Sequence, residues 1–303
     1  MDAWTPEELP QQLAAHQRRL DADIAEKMPA TSGLWQRRTT ALAPGADRTA
    51  YFLDLAAFPT VLLPRWLAPD AAPALHRDLL ASSLAGYWAI RVVDQITDGD
   101  HLEDRQLAPV LGLLHARFWR PYHARFAPDD SAFWEPALRW WTGSADAAVA
   151  EASAPVHALP LLAQRKTGAV RIPLLALCRA AGAPSLPPTW EAVVDRLCTA
   201  HQLHNDWTDW RRDRAAGQRT WAGAWTEQHC GDRSPAEWWA LEGAQRFARE
   251  ELLPALAALR RALEAASTPG GVAWCTARTQ QVHTQLDQLQ RAQDTLARLL
   301  GGV

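Results

Sequence analysis

The chain has 303 residues and a formal net charge of -3. That balance argues against a surface that collects nucleic acid by bulk positive charge, so any phosphate site must be local. No segment approaches the roughly 18 apolar residues needed to span a bilayer, and MDAWTPEELPQQL has no apolar core of the signal-peptide kind.

Amphipathic Ala- and Leu-rich stretches recur along the whole length, broken by Pro and Gly, and no alternating Val/Ile run of strand length appears. The fold class is therefore all-α, read as one domain over 1–303. A first helix is predicted over 7–27, after the start signal Thr5-Pro6. Residues 29–48, with Pro, Ser, Gly and Thr, read as a loop, and a second element from 49 stops near Pro59 or Pro64. A long helix over 71–98 carries Leu80, Leu84, Trp88 and Val92 at four-residue spacing and ends at Gly99. Further helices are predicted over 103–126, 131–151, 156–181, 188–214, 235–266 and 272–299, with the run PSLPP as the stop after Gly182.

Two acidic segments stand out, VVDQITDGD at 92–100 and QLHNDWTDWRRDRAAGQ at 202–218. Asp94 and Asp98 in the first, and Asn205, Asp209 and Asp213 in the second, repeat every four residues. On a helix that step drifts by only ~40°, so each set lines one face. Unpaired carboxylates repel, and bound Mg²⁺ relieves the repulsion while keeping positions for water and phosphate. Two such stripes facing each other would grip a diphosphate. The plainer alternatives are a solvated helix end for the first stripe and a polar face paired to Arg211, Arg212 and Arg214 for the second. Asp206 lies about 100° off the second stripe.

Arg165, Lys166 and Arg171 sit among apolar neighbours, where a cation either finds an anionic partner or snorkels to water. After the second stripe, Gly217, Gln218 and Arg219 form a loop able to fold over phosphate. Sixteen Trp include Trp88 and Trp207 near the stripes, either as core or as walls that attract a cation. Cys178, Cys198, Cys230 and Cys275 form no CxxC pair, which fits a reducing cytoplasm better than zinc or disulfides. His201 and His204 lack a third zinc ligand, and no GxSxG, Walker A or GxGxxG motif is present.

In this order, DQITDGD, KTGAVRIPLLALCRAAGA and QLHNDWTDWRRDRAAGQ resemble the two aspartate-rich motifs and the Lys-Thr helix of the class I isoprenoid synthase superfamily. RVVDQITD and the spacing of Gln202, Asn205, Asp209, Asp213 and Gly217 also resemble squalene and phytoene synthases, and NDWTDWRRD loosely resembles the terpene synthase triad. The resemblance spans roughly 85–221. It implies a helical bundle around a central active-site cavity, with Asp94, Asp98, Asn205, Asp209 and Asp213 as Mg²⁺ ligands. Arg165, Lys166, Arg171 and Arg219 would bind a prenyl diphosphate, Trp88 and Trp207 would wall the substrate, and a homodimer is common in the superfamily. The N-terminal Gly-Gly-Lys-Arg element and the Arg pair of chain-elongating members are missing, and each aspartate doublet has lost one Asp, to Gln95 and Asn205. Loss of the acceptor site points to a terpene synthase that cyclises its own carbocation. A prenyltransferase with another acceptor, a non-catalytic homologue and a helical interaction protein remain as alternatives.

Overall fold

The computed structural model describes residues 8–41, 49–55, 57–98, 102–151 and 153–300, with the side chains at 97, 98, 102–104, 156, 296, 297, 299 and 300 outside that description. The described residues are helical with no strand. The start signal Thr5-Pro6 and the stop at Gly99 lie outside them. The chain forms two compact units, each built from two stretches of sequence: 1–136 with 172–186, and 137–171 with 187–303.

In the first unit, α1 (Glu8–Lys27) buries Leu9, Leu13, Leu20 and Ile24 along one face. The helix α2 (Pro29–Ala41) occupies what the sequence reading left as a loop. Pro29 stands at the first helical position, where its missing N–H costs nothing, so it opens the helix rather than breaking it. Leu34 and Trp35 then fall on the buried face. After the short α3 (Leu63–Leu67), α4 (Pro73–Asp98) packs on α5 (Val110–His123). The two approach closely because Gly86 has no side chain: a Cβ there would lie 2.7 Å from the Phe118 ring. Ser82 adds a buried hydrogen bond from its Oγ to the Phe118 carbonyl at 2.7 Å.

The helix α6 (Ser131–Glu151) matches its predicted bounds and runs from the first unit into the second. The single helix expected over 156–181 is instead interrupted. Leu159–Lys166 forms α7, Gly168–Val170 a 3₁₀ turn, and Arg171–Ala180 α8. Pro173 cannot donate to the carbonyl at 169, and Thr167 bonds back to Ala163 through its hydroxyl at 2.9 Å, so the regular ladder fails between them. Ser144 of α6 bridges the break: its Oγ donates to the Arg165 carbonyl at 3.1 Å and accepts from the Ala169 amide at 3.2 Å.

In the second unit, α9 (Pro188–Ala215) packs against α7, α10 (Trp221–His229) and α13 (Leu253–Ala265). It ends in a left-handed Gly217, with Gln218 N–H bonded to the Asp213 carbonyl at 2.8 Å and Gly217 N–H to the Arg214 carbonyl at 3.1 Å. Only an unhindered residue adopts that conformation cheaply, which is why the stop was legible. The segment predicted as one helix over 235–266 contains α11 (Pro235–Trp238), α12 (Ala244–Phe247) and α13, joined by wide π turns at Trp239–Gly243 and Ala248–Leu252. The last helix, α14 (Pro269–Leu300), packs on α13. No helix among the described residues is long and apolar enough to cross a membrane.

Candidate functional site

The first acidic stripe belongs to the first unit and the second stripe to the second. Asp94 is half-buried on α4, with Arg91 Nη1 3.9 Å from its Oδ2. Asp98 closes α4, and its side chain lies outside the described residues. Six residues before Asp94, Trp88 is 2 % exposed and donates its indole N–H to Gln17 Oε1 at 2.8 Å. Gln17 in turn donates to Asp21, which also accepts from Trp35 at 2.8 Å, and the two indoles meet edge to face at 5.4 Å. Trp88 thus fills the core between α1, α2 and α4, the packing alternative of the sequence reading.

The second stripe divides among different partners. Asn205 Nδ2 lies 3.1 Å from His201 Nε2. Asp209 and Asp213 both accept from Arg212, whose Nη2 is 2.9 Å from Asp209 Oδ2 and 3.2 Å from Asp213 Oδ1. Asp209 is part-exposed, whereas Asp213 is buried. Trp207 is buried as well and donates to the Ala244 carbonyl at 2.8 Å.

Asp206, off the stripe, is buried between α9 and the start of α10. Its Oδ1 accepts from Gln202 at 2.7 Å, and its Oδ2 accepts from the Trp221 amide at 2.7 Å and the Ala222 amide at 3.4 Å. Thr220 takes the next amide, Gly223, at 3.1 Å. The first three N–H groups of α10 therefore all have acceptors, which an isolated helix start lacks. Burial raises the Asp206 carboxyl to about 7 against the opposing pull of these donors, and the Glu151 charge pushes the same way as burial. Two residues earlier, His204 is buried with no hydrogen-bond partner at either ring nitrogen among the described residues. Burial, with Arg278 and His201 nearby, lowers it to about 3, so its imidazole is neutral.

Three of the four nominated phosphate-binding cations are paired with carboxylates. Arg165 Nη2 contacts Asp146 at 2.9 Å, Lys166 Nζ contacts Glu151 at 2.7 Å, and Arg171 pairs with Asp195. Arg219 is exposed, with no ion pair among the described residues. The sequence reading found these cations but not Asp146, Glu151 and Asp195, which stand 15 to 24 residues from their partners and carry no local signature. It also missed α10 and the Asp206 cap, although Thr220 preceding an apolar run was a signal for the helix start.

An open polar groove of about 430 Å³ lies elsewhere in the second unit, lined by Glu242, Gln245, Arg246, Arg249, Gln290 and Gln293 among others. None of the nominated residues lines it. All four cysteines are buried and free, and among the described residues no group of three or more His, Cys, Asp or Glu side chains is arranged to hold a metal ion. For Mg²⁺ the relevant observation is the donor chemistry. Asp209 and Asp213 supply hard oxygen atoms that converge on one cationic group, the Arg212 guanidinium, whereas the Asn205 amide is engaged by His201. Compared with family models, curated proteins and solved structures, the chain matches none.

Proposed function

We propose that the chain is a Mg²⁺-dependent class I terpene synthase, which ionises a linear allylic prenyl diphosphate and converts the carbocation to a terpene with release of diphosphate. The observation that carries the reading is the convergence of Asp209 and Asp213, both nominated in the second motif, on a single cationic group. Three motif-like segments in the order of the superfamily support it further. With the reading come an isoprenoid synthase type of bundle with a central active-site cavity, a cytoplasmic location and a homodimer.

Asp94, Asp98, Asn205, Asp209 and Asp213 would hold Mg²⁺, which when bound neutralises charge on the leaving diphosphate. Arg165, Lys166 and Arg171 would take diphosphate oxygens in exchange for Asp146, Glu151 and Asp195. Arg219 has no such partner among the described residues. Trp88 and Trp207, whose rings are used in core packing, would stiffen the helices that carry the stripes rather than touch the substrate.

The purified chain, given Mg²⁺ and geranyl, farnesyl, geranylgeranyl or geranylfarnesyl diphosphate separately and no isopentenyl diphosphate, is expected to yield a cyclic hydrocarbon or alcohol from one of them by mass spectrometry. Asp94→Ala and Asp209→Ala should each abolish it. Product only on addition of an acceptor would indicate a prenyltransferase. The ion-paired state of Arg165, Lys166 and Arg171 favours one further reading, a non-catalytic homologue that binds prenyl diphosphates. It predicts Mg²⁺-dependent binding without turnover. No binding at all would sink both.

A further inference from the structure

In the first unit, the end of α4 away from Asp94 is strongly basic. Arg77 stands 17 residues before Asp94 on that helix, so roughly 25 Å separates them along the axis. α4 packs there on α1 and α5, and both bring further arginines: Arg19, three residues after His16 on α1, and Arg117 and Arg120, three apart on α5. That spacing puts each pair on one helix face. Two ion pairs fix the three helices relative to one another. Arg117 with Asp23 ties α5 to α1, and Arg125 with Asp78 at 2.5 Å ties α5 to α4. Asp23 and Asp78 are thereby taken. Arg19, Arg77 and Arg120 are exposed and have no ion pair among the described residues.

The three unpaired arginines, one from each helix, act on the same group. His16 is half-buried, and its Nε2 has no hydrogen-bond partner among the described residues. Burial lowers its pKa, the charges of Arg19, Arg120 and Arg77 lower it further, and Asp78 opposes them. Arg117 is lowered by burial and then by Arg120 and Arg19. Like charges are therefore gathered around one point, in a chain whose net charge is -3. A local field of that sign draws anions out of solution, and the guanidinium fork matches phosphate oxygens two at a time. Arg18 shows what an ordinary solvated arginine looks like here: it is exposed beside Arg19, yet its charge acts on neither His16 nor Arg117.

We propose that Arg19, Arg77 and Arg120 form a metal-independent site around His16 for a phosphate group of at least two negative charges. None of these residues is among those nominated for prenyl diphosphate, so the site stands independently of the terpene synthase reading. Its ligand chemistry is offered by a free diphosphate and by the phosphate headgroup of a lipid.

The test is calorimetric titration of the full chain with inorganic diphosphate at low salt and in EDTA, which silences any Mg²⁺-dependent binding at the acidic stripes. Arg19→Gln, Arg77→Gln and Arg120→Gln should each weaken binding about tenfold, the loss of one charge-assisted hydrogen bond. Arg120→Lys should recover part of that, because it restores the charge without the fork. Arg18→Gln removes the same charge from the same helix and should change affinity by less than about threefold, since solvent screens it. All four arginines are exposed, so urea midpoints should be unchanged and the losses read as binding. Co-sedimentation with phosphatidylcholine vesicles, with and without phosphatidic acid, distinguishes the source of the phosphate. Binding that needs phosphatidic acid, fails with free diphosphate and is lost in the same three variants would assign the site to a headgroup. Equal weakening by Arg18→Gln would reduce the effect to bulk charge and overturn the site. Binding indifferent to all the substitutions, or no binding to either probe, would overturn it as well, and neither result bears on Mg²⁺-dependent turnover.

Discussion

Asp206 and His204, two positions apart on α9, are buried with opposite protonation preferences. Folding raises the Asp206 carboxyl from 3.8 to about 7, so the folded chain keeps a proton that the unfolded chain has released. Its contribution to stability is therefore full below pH 3.8 and is lost as pH rises through about 7. Folding lowers His204 from 6.5 to about 3, so its contribution is present above pH 6.5 and is lost as pH falls toward 3. His16, His76 and His115 shift in the same direction as His204, each chiefly by burial. Between pH 4 and 6.5 the two tendencies oppose each other, and wild type masks both. Asp206→Asn keeps the shape and the acceptor for Trp221 but removes the titration. In urea unfolding of the metal-free protein it should stabilise at pH 8 and lose that advantage by pH 4.5, a swing on the order of 4 kcal/mol at most. An effect of the same size at both pH values would show that Asp206 does not titrate in this range.

At the scale of single elements, the α13–α14 corner invites improvement. Thr268 N–H bonds to the Leu263 carbonyl at 3.1 Å and Ser267 N–H to the Glu264 carbonyl at 3.0 Å, the same closing pattern that Gly217 makes after α9. Here the left-handed position is held by Ser267, with φ of 54°. A side chain in that conformation costs about 1–2 kcal/mol, offset in part by the flexibility glycine adds to the unfolded chain. Ser267→Gly should raise stability by about 0.5–1 kcal/mol, read as a higher urea midpoint with an unchanged slope. Elements of this kind also show what a sequence reveals. A helix bounded by capping chemistry was legible: α9 came within a residue of expectation because Pro188 and Gly217 mark its two ends by backbone sterics alone. The break at 167–170 was not, because the group that makes it tolerable, Ser144, lies on another helix. In the candidate site, the four-residue spacing of Asn205, Asp209 and Asp213 was legible. The pairing with Arg212 was legible too, as the polar-face alternative, but not that one guanidinium reaches both carboxylates, which depends on a side-chain rotamer.

For the whole molecule, the interleaving of the two units has a thermodynamic price tag that can be measured. Residues 172–186 count with 1–136, although 35 residues of the other unit separate them in sequence. Within that stretch Ile172, Leu174, Leu175 and Leu177 are all buried. Burial of such a side chain contributes about 1.5–3 kcal/mol, so four of them rival the ~5–15 kcal/mol that holds a typical domain together. A fragment ending at Pro136 should therefore lack a cooperative urea transition by circular dichroism, whereas the full chain shows one. A cooperative transition in the fragment would mean that its remaining core suffices. Composition does not change at 136, 171 or 186 and no linker marks a crossing, so the bounds of the two compact units carry no signature in the sequence.

The π turns at Trp239–Gly243 and Ala248–Leu252 bear on how relatives of this chain should be aligned. Buried positions across the two turns pair steps of four with steps of five, Trp239 to Gly243 and Ala244, and Phe247 and Ala248 to Leu252, then run by four and three through Leu256 and Leu259. Each wide turn thus absorbs one residue more than an α turn while keeping both flanks in phase. A relative shorter by a single residue in either interval would simply close that turn to α geometry and keep the same wall. The same deletion inside Leu253–Ala265 would rotate everything after it by about 100° and aim Leu259 and Leu263 at solvent. One-residue gaps in an alignment to this chain belong at those two intervals.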